Sequence, residues 1–106
     1  MFARRVAMHL KPNSVPAFTE RLEKEIIPML RKQNGFQDEI TLTTPAGREA
    51  IAISLWDRTE SAEAYNRDTY PQVVKILSQY VEGTPSVETF QVSNSTFHKI
   101  AATVAA

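Results

Sequence analysis

The 106-residue chain contains no cysteine, which excludes disulfides and thiolate metal centres and fits a reducing compartment. Glycine is nearly as scarce. Its three positions, Gly35, Gly47 and Gly83, are isolated, so neither G-x-G-x-x-G nor a P-loop is available to cradle a phosphate. Twelve basic and twelve acidic residues are interspersed and cancel, leaving no field for a nucleic-acid or membrane-surface binder. Long apolar runs are also missing: nowhere do about 18 apolar residues follow one another, and Met1-Phe2-Ala3-Arg4-Arg5-Val6 lacks the apolar core of a signal peptide. No nucleic acid, no membrane and a cytoplasmic location are the expectations. The two histidines, His9 and His98, stand at opposite ends, so no metal is expected, and without G-x-S-x-G there is no nucleophile elbow.

What is present suffices for one small core, and a domain this short is marginal unless self-association adds to it. Val6, Met8 and Leu10 alternate with Arg5, Ala7 and His9, the period of a strand, and Lys11-Pro12-Asn13 stops it. Asn13 or Ser14 caps a helix whose stripe is Val15, Phe18, Leu22, Ile26, Met29 and Leu30, closing at Asn34-Gly35. Pro28 lies inside it, and because an interior proline costs roughly 3 kcal/mol the sequence predicts a kink or break over 24–28. Ile40 and Leu42 mark a second strand, Thr44-Pro45-Ala46-Gly47 a hairpin turn, and residues 50–56 a third strand. A helix start at 59–63 leads to Ala62 and Tyr65. Pro71 interrupts, Val73, Val74, Ile76, Leu77 and Tyr80 form a further helical stripe, and residues 87–92 give a last strand. The order β-α-β-β-α-β is the split βαβ arrangement of an α+β, ferredoxin-like domain with an antiparallel sheet, expected over 1–93 with a tail at 94–106.

The third strand has no face made for water. Ile51, Ile53 and Leu55 are expected against the chain's own helices. Ala50, Ala52, Ser54 and Trp56 on the other side need a cover the chain is too short to supply, which predicts a homodimer formed sheet to sheet. The same reading groups Arg5, Ala7, His9, Thr89 and Gln91 with that second face. Small residues beside a Trp and a few polar tips describe a cavity wall, with Tyr65, Asn66 and Tyr70 closing one end. The plainer alternative makes Trp56 a core or interface anchor and the tyrosines, Arg5 and His9 ordinary half-buried or solvated residues.

Lys11-Pro12, Ile26-Ile27-Pro28-Met29-Leu30-Arg31 through Gly35-Phe36, Ser54-Leu55-Trp56-Asp57 and Ala62-Glu63-Ala64-Tyr65 together resemble the antibiotic biosynthesis monooxygenase (ABM) family over residues 3–93. The resemblance implies a dimeric α/β barrel in which each protomer keeps its own cavity. It also implies a cofactor-independent monooxygenase acting on a small aromatic ligand, phenol, quinol or anthrone-like. A non-catalytic, small-molecule-binding or stress-related dimer is the alternative. Haem-degrading members carry Asn, Trp and His where this chain has Arg5, Tyr65 and Lys75, so haem degradation is not implied. Polyketide oxygenases carry Asn, Trp and Tyr where this chain has Ala52, Trp56 and Ala62. On this reading no flavin, haem or other cofactor is expected. His9, Trp56 and Tyr65 are the expected catalytic set: Trp56 stacks on the substrate, and His9 serves as general base because histidine titrates near neutral pH. Arg5, Ser54, Asn66, Tyr70 and Gln91 are the expected substrate-binding residues, Arg5 holding a phenolate by charge.

Overall fold

Alternation along the first strand, β1 (Phe2–Leu10), decides which way the sheet faces. Arg4, Val6, Met8 and Leu10 are buried, whereas His9 is exposed and Arg5 and Ala7 are half-buried. This computed structural model describes residues 1–97. His98 and the alanine-rich end of the tail lie outside the described residues. After β1 come α1 (Val15–Arg21), a π-helical turn (Leu22–Ile26), α2 (Ile27–Arg31), β2 (Phe36–Thr43), β3 (Glu49–Trp56), α3 (Thr59–Asp68), α4 (Tyr70–Leu77) and β4 (Val81–Gln91). The strands form one sheet in the order β2-β3-β1-β4, every neighbouring pair antiparallel, as the ferredoxin-like order of elements predicts. Among the described residues no helix is long and apolar enough to cross a membrane.

The helices cover one face of this sheet. Phe18, Leu22, Ile26 and Leu30 from the first helical stretch, Ala62 and Tyr65 from α3, and Val73 and Leu77 from α4 pack onto Val6, Met8, Leu10, Ala50 and Trp56. A fully buried side chain of this size contributes about 1.5–3 kcal/mol. Trp56, Phe18 and Leu10 are the largest fully enclosed groups.

Residues opposite one another in an antiparallel ladder point to the same side. Arg4 faces Ser54, Val6 faces Ala52 and Met8 faces Ala50, while Arg5 faces Ile53, Ala7 faces Ile51 and His9 faces Glu49. The expected orientation of β3 is therefore reversed. Ala50, Ala52, Ser54 and Trp56 lie under the chain's own helices, and Ile51, Ile53 and Leu55 lie on the open face. Small residues on the helix side leave height for Tyr65 and Met8; the branched side chains sit where no helix crowds them. Arg5, Ala7 and His9 consequently do not share a face with Ser54 and Trp56.

Pro28 is accommodated by the π-helical turn. Ile27 N–H reaches back to Leu22 O, a five-residue step, so the chain widens for one turn and restarts as α2 with the proline in its first turn. A missing N–H is harmless there. The caps differ in detail: Ser14 stands at the helix start without a side-chain capping bond, and Arg58 takes the cap position of α3, also without one. The Ser61 hydroxyl instead donates to Asp57 Oδ1 at 2.6 Å. Gly35 is positioned by that pair, since a methyl at its Cα would collide with both the Asp57 carboxylate and the Ser61 hydroxyl.

Candidate functional site

A small hollow lies between the helices and the sheet. Its volume is about 40 Å³, and its walls include Leu22, Ile26, Leu30, Val73 and Leu77 with Ala52 as floor. Leu22 and Ile26 are the two ends of the π-helical turn, a feature that recurs at functional sites. The polar part of the lining consists of Arg4, Ser54, Glu39, Tyr65 and Tyr70.

Arg4 dominates this polar end. It is 3% exposed, and no carboxylate among the described residues comes within the 4.0 Å of an ion pair. Burying a guanidinium without a counter-charge is costly, so other groups must offset it. Nη2 donates to Asn66 Oδ1 at 2.7 Å. The guanidinium carbon sits 4.0 Å from the centre of the Tyr70 ring and 5.2 Å from that of Tyr65, which gives cation–π attraction on two sides. The break between α3 and α4 makes this possible: Thr69 N–H closes α3 on Tyr65 O, Pro71 opens α4, and the two rings stand 6.1 Å apart.

Protonation states follow from burial. Burial pushes the Tyr65 phenol up to about 12, against the opposing pull of Arg4. Tyr70 is also raised by burial and opposed by Arg4. The guanidinium lies over the Tyr70 ring, and no hydrogen bond of ordinary geometry reaches the Tyr70 hydroxyl among the described residues. Both phenols are thus donors at neutral pH. Burial likewise raises the half-buried Glu39 carboxyl, with the Thr41 hydroxyl that donates to it acting the other way.

Of the eight residues singled out from sequence, Ser54, Tyr65 and Tyr70 line the cavity. Trp56 does not. It is fully enclosed between Phe36 and Tyr65, with ring centres at 5.6 and 5.1 Å, and its Nε1–H donates to Ser54 Oγ at 2.9 Å. Its face for stacking is already occupied by Tyr65. Asn66 orients Arg4 from outside the wall. Arg5 and His9 are on the opposite side of the sheet, where Arg5 pairs with Glu88 at 2.6 Å and His9 Nδ1 lies 3.8 Å from Glu49. His9 cannot act as a base on a ligand in this cavity. Gln91 is exposed at the end of the sheet and donates to Met1 O at 3.2 Å. Sequence reasoning missed Arg4 and Glu39, although Arg4 keeps the parity of Val6, Met8 and Leu10 and that alternation alone places it under the helices.

No protein-family profile and no curated protein matches the chain. Solved structures do. The ActVA-Orf6 monooxygenase of Streptomyces coelicolor, in complex with nanaomycin D, superposes with a TM-score of 0.75 at 13% identity over 89% of this chain and 88% of that one. An antibiotic biosynthesis monooxygenase gives 0.69 at 11% identity over 87% and 98%. The fold is that of the antibiotic biosynthesis monooxygenases. SnoaB of Streptomyces nogalater, a cofactor-independent oxygenase, shares this ABM fold with a TM-score of 0.72 at 12% identity over 90% and 95%. At such identities the likeness is one of fold, and the ABM architecture by itself assigns no reaction to these side chains.

Proposed function

We propose that the chain is a cofactor-independent monooxygenase of a small acidic aromatic compound, phenol, quinol or anthrone-like, bound between helices and sheet. The observation that carries this reading is the buried Arg4 guanidinium, without a carboxylate partner among the described residues, at the polar end of an apolar cavity. A phenolate matches both parts: with the cavity opened, its ring packs against Leu22, Ile26, Leu30 and Val73, and its oxygen meets Arg4, with Tyr65 and Tyr70 as neutral donors. Ionisation makes the substrate electron-rich enough to reduce oxygen itself. For an anthrone, the ring methylene becomes a carbonyl with one atom of O2 and the other leaves as water. The chain acts as a homodimer through the open face of its sheet, and SnoaB supports cofactor-free chemistry on this fold.

A second reading is favoured by the cavity volume. About 40 Å³ holds no more than a few waters, each of which needs about 10–15 Å³. An aromatic ligand therefore requires Tyr70, Arg4 or the π-helical turn to move aside, and a chain that never opened would be a non-catalytic dimer. Oxygen uptake with a panel of phenols, quinols and anthrones separates the two. Uptake above the uncatalysed rate that is lost in Arg4→Met is the expected result. No uptake with any compound, together with saturable binding, would leave the binding module.

A further inference from the structure

Glu39 completes a polar row that crosses three strands. Ser54 of β3 faces Arg4 of β1 on one side and Glu39 of β2 on the other, so all three side chains share the helix side of the sheet and line the same cavity. Two strand spacings, roughly 10 Å, separate the backbones of Arg4 and Glu39, and the two do not form an ion pair. The groups that face Glu39 are the Thr41 hydroxyl from its own strand, Ser54 from the adjacent strand, Arg4 from the strand beyond it, and Tyr65 and Tyr70 from α3 and α4. The first helical stretch offers only Leu22, Ile26 and Leu30. A carboxylate and a cation thus stand on either side of Ser54 along the polar part of the lining.

We propose, resting on the reading of this cavity as a site for an acidic hydroxyl, that Glu39 is the proton acceptor for that hydroxyl and Arg4 holds the resulting anion. In the step the ligand O–H bond breaks, the proton passes to a carboxylate oxygen of Glu39, and the electron pair stays on the ligand oxygen beside the guanidinium. One negative charge leaves Glu39 as one appears on the ligand, so no proton reaches solvent. A simple phenol is a weaker acid than a carboxyl group by about six pK units. Burial, which raises Glu39, and a cation beside the ligand oxygen, which lowers the hydroxyl, both narrow that gap.

The test uses 4-nitrophenol, whose anion absorbs visible light, under nitrogen and at a pH below the probe's own pKa. The purified chain should bind it in the coloured form, and calorimetric titration in two buffers of different protonation enthalpy should find no proton released. Glu39→Gln should still bind the coloured form but release a proton per bound probe. Arg4→Met should lose the colour and bind about tenfold or more weakly, and Arg4→Lys, which keeps the charge, should restore part of it. A colourless bound probe, an equal proton count in wild type and Glu39→Gln, or no binding at all would overturn the proposal. Because oxygen is absent, success here beside failed oxygen uptake would sink the oxygenase reading and leave the proton acceptor standing.

Discussion

The Tyr70 hydroxyl is, among the described residues, the buried side-chain polar atom without a partner. Such a group costs about 1–3 kcal/mol, and replacing it with a shape-matched apolar group is nearly neutral or stabilising. Tyr70→Phe should therefore leave stability unchanged or raise it by about 1 kcal/mol in urea denaturation, and a large loss would mean that the oxygen has a hidden partner. Glu39 makes a different expectation, one of pH. Burial raises its carboxyl above the ordinary 4.5, so the folded chain holds this proton to higher pH than the unfolded chain does. Its contribution is complete below the ordinary carboxyl range and is lost as pH rises through the folded value. Glu39→Gln stays neutral throughout. Thermal melts should find it level with wild type near pH 4 and more stable at pH 7.

The π-helical turn is the element whose form the sequence conceals. An interior proline predicts a break near 24–28, and a disturbance is there, but it takes the shape of one widened turn that makes Pro28 an N-terminal residue of α2. Pro28→Ala should then gain well under the roughly 3 kcal/mol that an interior proline costs, as read by guanidinium denaturation. A gain of that full size would mean that the proline strains the helix. The last strand is longer than the 87–92 that alternation predicts. Glu82-Gly83-Thr84-Pro85 has turn chemistry, yet these residues belong to β4, where the step from Ala7 to His9 on β1 is matched by one from Ser86 to Glu82. The two extra residues form an irregularity at which Gly83 takes a φ of +72°. Alternation in β1 and β3 was legible from the outset, but it says only which residues travel together, not which set the helices cover. Tertiary packing decides that, and it moved Arg5 and His9 out of the site and brought Arg4 and Glu39 in.

At the scale of the whole molecule, the open face of the sheet carries Ile40, Leu42 and Phe90, each about half exposed, around Ile51, Ile53 and Leu55. Arg5 and Glu88 on this face neutralise each other, which leaves a surface suited to a second copy of itself. Obligate pairs of this kind bury on the order of 2,000 Å² or more in total. Sedimentation equilibrium at micromolar concentration should find twice the chain mass, and Ile53→Arg, at the centre of the face, should give a monomer. An unchanged mass in that variant would place the contact elsewhere. Such a chain must still avoid growing along the outer edge of β4, which among the described residues has a strand neighbour on one side only and could template a foreign strand. Gly83 turns that edge aside and Pro85 removes an N–H from it, so the edge offers no continuous ladder for end-on addition. An irregularity of this kind at an edge disfavours fibrous growth along it.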